Sequence, residues 1–168
     1  QMCIRDRIRI GYYSSDFHNH ATMYLMANLF ELHDKTRFEI YAFSFGPDDK
    51  SEIRKRVVKT FDKFFDVKFK TTKDIVHISR ELNLDIAIDL MGYTKSNRFE
   101  IFLEKCAPIQ INYLGYPGTT ASDSLDYIIA DKNLIKTEEQ KFYSEKYLCF
   151  QLLLVYGHGQ ILIIDYSM

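Results

Sequence analysis

Short runs of β-branched and aromatic residues alternate along the chain with stretches of helical periodicity, about 20 residues apart, as in consecutive βα units. Residues 8–13 read as a strand ending in Ser14-Ser15-Asp16, polar residues able to turn the chain and cap a helix. Residues 22–32 follow as a helix with Leu25, Met26, Leu29 and Leu32 as its apolar stripe. A second strand, 38–45, stops at the turn signal Gly46-Pro47-Asp48-Asp49, and a charged helix runs on through Val58. The pattern then predicts a short strand over 61–69, a helix over 72–82 with Ile75, Ile78 and Leu82 on one side, and a strand over 85–90. A helix over 97–105 and strands over 109–114 and 127–130 complete the series.

Several strands are continuous apolar runs, such as Ile86-Ala87-Ile88, which is what burial on both sheet faces requires. The fold class predicted is therefore α/β, a Rossmann-like parallel sheet flanked by helices. In such sheets ligands sit beyond the C-terminal strand ends, which makes the loops 14–22, 91–97 and 115–122 the candidate site. Residues 8–150 form one lobe. Residues 1–7 and 151–168 fall outside the pattern, the latter holding two apolar bursts split by Gly157-His158-Gly159, and are expected to be extraneous tails.

Composition narrows the function. In 168 residues, 46% hydrophobic content gives enough material for a core, and a chain of this size buries roughly two-thirds of its unfolded surface. The 22 Lys+Arg nearly balance 23 Asp+Glu, and the basic residues cluster only at Arg54-Lys55-Arg56, which argues against a nucleic-acid partner. No apolar run approaches the ~18 residues of a spanning helix, and no signal-peptide pattern opens the chain, so a cytoplasmic setting without a membrane is expected. Cys3, Cys106 and Cys149 are scattered and support neither a disulfide framework nor a zinc knuckle.

Three loops carry candidate chemistry. In the first, His18 and His20 stand where a helix N-terminus offers unpaired N–H groups and partial positive charge, suiting a phosphate. A neutral imidazole there is a base or a hydrogen-bond donor; the plainer alternative is a solvated loop in which Asp16 or Asn19 caps the helix. The pair is too closely spaced and too poorly supplied with partners for a metal site, and none is expected. In the second, Gly115, Tyr116, Pro117, Gly118 and Thr119 follow a buried strand and let the backbone approach a ligand, although neither a dinucleotide fingerprint nor a Walker loop is present. In the third, Tyr93 and Thr94 precede Lys95 and Arg98; Thr94 could bind a sugar, or the segment is an ordinary capped turn. His77 and His33 read as surface or satisfied positions, and Asp85 and Asp89 as too far apart for a dyad.

Taken in order, the segments resemble a known family. Ile8-Arg9-Ile10-Gly11-Tyr12-Tyr13-Ser14-Ser15-Asp16-Phe17-His18-Asn19-His20 is similar to the opening of the catalytic region of protein O-GlcNAc transferases and their SPINDLY-like relatives. Ser44-Phe45-Gly46-Pro47-Asp48-Asp49, Asp89-Leu90-Met91-Gly92-Tyr93-Thr94, the block from Ala107 through Gly115-Tyr116-Pro117-Gly118-Thr119, Asp126-Tyr127-Ile128-Ile129-Ala130-Asp131 and Phe142-Tyr143-Ser144-Glu145-Lys146 continue the likeness. The resemblance implies the N-terminal lobe of a GT-B glycosyltransferase. Such an enzyme moves N-acetylglucosamine from UDP-GlcNAc to Ser or Thr hydroxyls of protein acceptors, with inversion and without metal or cofactor. His20 matches the family's loop histidine near the donor, a catalytic-site residue. Gly115, Tyr116, Pro117, Gly118 and Thr119 match the loop that approaches sugar and pyrophosphate, and Tyr93 and Thr94 match a motif on the same rim.

The match stops near Phe150, where the family continues through a Pro-containing link to a second lobe with most of the nucleotide contacts. This predicts a fragment, truncated or shifted in frame, without the C-terminal lobe and the TPR region, and inactive alone. Two other functions compete: SPINDLY-like O-fucosyl transfer from GDP-fucose, and a non-enzymatic α/β scaffold for a protein partner. A response-regulator-like domain fits less well, because the first strand lacks the acidic pair it needs.

Overall fold

The computed structural model describes residues 7–149 and the backbone of 151–153 and 161–163. Seven parallel strands form one sheet: β1 (Ile8–Ser14), β2 (Phe38–Ser44), β3 (Lys63–Asp66), β4 (Ile86–Asp89), β5 (Ile109–Tyr113), β6 (Tyr127–Ala130) and β7 (Lys146–Cys149). Their order is β3-β2-β1-β4-β5-β6-β7, so the chain winds outward from β1 to β3, returns to the other side of β1, and winds outward again. The return puts the connections leaving β1 and β4 on opposite faces and opens a crevice at their C-terminal ends.

Residues along each strand alternate between two cores. Tyr13, Tyr41, Phe43 and Ala87 face one side, with α3 (Thr72–Glu81) and α4 (Glu100–Leu103) contributing Ile75, Val76, Ile101 and Phe102. Ile10, Tyr12, Ile40 and Ala42 face the other, covered by Met23, Met26, Ala27 and Phe30 of α1 (Ala21–Glu31) and by Ile53 and Val57 of α2 (Glu52–Val58). Tyr13, Phe43 and Phe65 occupy paired positions on β1, β2 and β3, and their rings stack at 4.4 and 5.1 Å. Phe17, from the loop after β1, lies at the centre of the second core, fully buried against Phe30, Phe61 and Phe64.

The structure bears out the α/β parallel sheet and corrects several details. The buried stripe of α1 is Met23, Met26, Ala27 and Phe30; Leu25 and Leu32 are exposed, because the N-cap at His20 sets a helix phase that turns both outward. The strand expected over 61–69 shortens to Lys63–Asp66, since Asp66 accepts from the Lys68 N–H in a turn that leaves Phe69 in solvent. The helix expected over 97–105 shrinks to Glu100–Leu103. Ser96 and Lys105 adopt positive φ at its borders, and Asn97 ties the preceding turn by bonding the Thr94 carbonyl and the Phe99 N–H. A 3₁₀ helix, Thr137–Phe142, and β7 were not anticipated. Of the expected tails, 1–6, 154–160 and 164–168 lie outside the described residues, as does residue 150 of the expected lobe, while Gln151–Leu153 and Ile161–Ile163 pair antiparallel. No described helix is long and apolar enough to cross a membrane.

Phe43 joins both ends of the aromatic stack, so Phe43→Ala should destabilise the fold by about 3–5 kcal/mol in urea unfolding. His33, half-buried beside the Tyr12 hydroxyl at 2.7 Å, has its pKa pushed down to about 4 by burial and by the nearby Lys35 charge. A lowered folded-state value means the histidine's contribution is intact above its ordinary 6.5 and is lost as pH falls from there towards 4. His33→Gln should remove that loss, so the stability difference between parent and variant shrinks on acidification; a constant difference from pH 7 to 4 would contradict this.

Candidate active site

The site begins where β1 ends. The chain turns at Ser14, whose hydroxyl accepts from the Asp16 N–H at 2.9 Å, and α1 starts with His20 as its N-cap. His20 Nδ1 accepts from the Thr22 N–H at 3.3 Å, and lies 3.1 Å from Thr22 Oγ1 and 3.4 Å from Asp16 Oδ2. The cap therefore uses Nδ1 as an acceptor, which puts the proton of the neutral ring on Nε2. The His20 side chain is 45% exposed and stands 5.6 Å from the His18 ring.

On the other side of the crevice, the β4 end is organised by Asp89. Its carboxylate accepts from the Met91 N–H at 2.9 Å and the Gly92 N–H at 3.1 Å. Burial nonetheless dominates and pushes its pKa up to about 6. Ser14 Oγ reaches Met91 Sδ at 3.3 Å, joining the two loops at their base. The following turn is closed by Thr94, whose hydroxyl donates to the Met91 carbonyl at 2.9 Å.

Between these loops lies an open cleft of about 610 Å³. Asp16, His18 and His20 line it from the β1 loop, Gly46 and Pro47 from the β2 loop, Lys68 from the β3 loop, and Thr94, Lys95 and Ser96 from the β4 loop. Two lysines, two histidines and the N-terminus of an eleven-residue helix make this a setting for an anionic ligand. Among the described residues no group of His, Cys, Asp and Glu is arranged to hold a metal ion.

The structure brings His20 and Thr94 together at this cleft but builds Tyr93 and residues 115–119 into a neighbouring rim. Tyr93 donates to the Thr120 carbonyl at 2.9 Å and packs on Phe99 and Tyr116. Gly115 leaves β5 directly over β4: a Cβ there would lie 2.0 Å from the Leu90 carbonyl oxygen, so the close approach admits only glycine. Asn112 donates to the Tyr116 carbonyl at 3.0 Å, the Pro117 carbonyl accepts from Tyr143, and Gly118 sits against the Tyr116 ring. Thr119 and Thr120 are tied to Glu145, which accepts from Thr119 Oγ1 at 2.8 Å, from the Thr120 N–H at 2.7 Å and from the Thr120 hydroxyl. Burial alone would raise the Glu145 carboxyl, but these bonds outweigh it and hold it below the usual range.

Sequence reasoning missed Lys68, whose position beyond a short edge strand gave no signal. It also grouped Arg54 with Lys55 and Arg56 as one basic cluster, which the structure divides. Arg54 is buried beneath the histidine loop, Lys55 pairs with Glu52, and Arg56 pairs with Glu31. The apolar neighbours Ile53 and Val57 marked the buried face of α2 and could have shown that Arg54 lies at its edge.

The sequence matches Glycosyl transferase family 41 over residues 1–163. The chain belongs to this family. It is 38% identical over 140 residues to the probable UDP-N-acetylglucosamine-peptide N-acetylglucosaminyltransferase SEC of Arabidopsis thaliana, covering 83% of this chain and 14% of that protein. It is 37% identical over 134 residues to the UDP-N-acetylglucosamine-peptide N-acetylglucosaminyltransferase of Caenorhabditis elegans, covering 74% of this chain and 11% of the relative. A solved structure of an O-GlcNAc transferase mutant from Thermobaculum terrenum superposes with a TM-score of 0.83 at 27% identity, over 87% of this chain and 28% of that one. The family 41 chain thus spans a small part of the length of the proteins it matches, and its parallel sheet is that of one lobe of the solved structure.

Because Glu145 holds the family 41 chain's second rim through Thr120, Glu145→Ala should expose that amide. Hydrogen exchange at Thr120 should quicken at least about tenfold, with amides of β1 and β4 unchanged.

Proposed function

We propose that this chain forms one wall of the active site of a protein O-glycosyltransferase of GT-B architecture. It would act on UDP-GlcNAc as donor and Ser or Thr hydroxyls of proteins as acceptors, in a cytoplasmic setting. The observation that carries this reading is the cleft at the β1/β4 reversal, where His20 caps α1 among Lys68, Lys95 and Thr94. Family membership and the names of the relatives support the reaction class and the donor.

In this reading the acceptor hydroxyl oxygen attacks the anomeric carbon as the bond to the diphosphate breaks, the configuration inverts, and the hydroxyl proton passes to the departing diphosphate. Transfer needs the leaving phosphate stabilised and the acceptor oxygen held in line. The helix N-terminus and the lysines supply positive potential, and the neutral ring of His20 donates a hydrogen bond from Nε2–H to a substrate oxygen from the cleft side. Tyr93 and Gly115, Tyr116, Pro117, Gly118 and Thr119 shape the adjacent rim against the sugar. A second lobe, with the remaining nucleotide contacts, provides the opposite wall, and the chain alone is inactive. No metal or cofactor takes part.

The test is transfer of labelled N-acetylglucosamine from UDP-GlcNAc to a protein acceptor by a chain carrying this segment together with the second lobe. His20→Ala should lower turnover about a hundredfold or more while costing only the ~1 kcal/mol of a lost helix cap in stability, and a chelator should leave the rate unchanged. Unchanged turnover removes His20 from the site. Transfer from GDP-fucose but not UDP-GlcNAc overturns the donor, and transfer from neither supports a scaffold instead.

A further inference from the structure

The segment Ser44-Phe45-Gly46-Pro47-Asp48-Asp49 and the buried Arg54 take no part in the chemistry described, yet they contact the histidine loop at alternate residues. At Ser15 the contact is steric. A Cβ on Gly46 would lie 1.7 Å from the Ser15 carbonyl oxygen, so the two loops lie against each other as only a glycine permits. At Phe17 the contact is electrostatic, with Arg54 Nη1 donating to the carbonyl at 2.6 Å. At Asn19 the backbone N–H donates to Asp49 Oδ2 at 2.7 Å. Between and after these contacts Asp16, His18 and His20 line the cleft, together with Ser15 itself.

Arg54 is itself held from several directions. Its side chain is only 7% exposed, and its charge is balanced by Asp48 at 2.9 Å and Asp66 at 3.7 Å. It also donates to Ser44 Oγ at 3.2 Å, and its guanidinium lies 5.1 Å from the Phe64 ring centre. A planar fork serves these partners together, which a lysine ammonium cannot. Burying a guanidinium beneath a loop is costly unless its partners are fixed. Here the partners come from the ends of β2 and β3 and from the loop that carries His20. Asp49 is fixed in turn by the Ser51 N–H and hydroxyl, which it accepts at 3.0 and 2.7 Å.

We propose that residues 44–54 are a bracket that sets the position of His20, with Arg54 and Asp49 as positioning residues acting through the backbone of Phe17 and Asn19. This deepens the glycosyl-transfer reading and rests on it for its consequence in catalysis. The placement of the ring is testable without any transfer.

The experiment compares the chain with its Asp49→Ala, Arg54→Lys and Lys55→Ala variants, the last altering an exposed residue of the same helix. Two quantities are read by NMR: the imidazole ¹⁵N shifts of His20, which report whether Nδ1 remains the acceptor, and hydrogen exchange at the Thr22 amide bonded to it. Asp49→Ala and Arg54→Lys should move the ¹⁵N shifts towards a mixture of tautomers and speed Thr22 exchange at least about tenfold. Lys55→Ala should change neither. A general loss of stability would raise exchange across the sheet without altering the His20 shifts, and that result overturns the proposal, as does a folded variant pair indistinguishable from the parent. If Arg54→Lys fails to fold, Asp49→Ala decides alone. In the transfer assay, the bracket variants should lower kcat with the donor KM nearly unchanged. Absence of transfer in the parent would count against the functional reading and leave the NMR result to decide the bracket.

Discussion

The constraint on which the rest depends is the placement of β1 between β2 and β4, parallel to both. A parallel neighbour requires a crossover, and consecutive crossovers of one hand leaving β1 and β4 in opposite senses must cover opposite sheet faces. The loops leaving those strands diverge, and the space between them is the cleft. The stacked rings of Tyr13, Phe43 and Phe65 lock the register of the three strands behind it. Ser14, Asp66 and Asp89 are thereby held at one end of a rigid sheet.

On that platform, polar groups divide into those that hold the loops and those left for a ligand. Asp89, Glu145, Arg54 and the Tyr93 hydroxyl are engaged with backbone groups, and each fixes a loop rather than facing the cleft. His18, His20, Lys68 and Lys95 line it. This division suits electrostatic catalysis, in which the groups that meet developing charge must not need to reorganise. It also explains why two motifs with no reactive atoms, the Gly46-Pro47-Asp48-Asp49 turn and the Tyr143-Ser144-Glu145 run, stand beside those that have them: one holds the histidine loop, the other the rim at Thr119 and Thr120.

Much of this was legible in the sequence because parallel strands buried on both faces leave continuous apolar runs, as at Ile86-Ala87-Ile88, and turn residues mark their ends. His20 was legible for the same reason, standing where a strand ends and a helix must start. Three kinds of information were not local. The phase of α1 depends on its cap, so the sequence pattern puts Leu25 and Leu32 on the apolar stripe where the structure buries Met23 and Phe30. The strand Lys146–Cys149 is largely exposed at the sheet edge and lacks the apolar signature of the others. Arg54 reads as one charge among three until the fold places Phe17, Asp48 and Asp66 around it. The rim formed by residues 115–119 was expected to share the cleft, and its separation from it follows from the Glu145 and Tyr143 contacts made far along the chain.

In the proposed function the cleft at the β1/β4 reversal receives the nucleotide-sugar donor. The most direct measurement is an NMR titration of the chain with UDP-GlcNAc to about 10 mM, since a single wall of a site binds in the millimolar range. Binding there should give saturable shifts in the amides of residues 15–22 and 94–96 and in the ring signals of His18 and His20. Silence in both loops at the highest concentration would contradict it. So would shifts confined to the opposite end of the sheet, around Arg80 and Lys105.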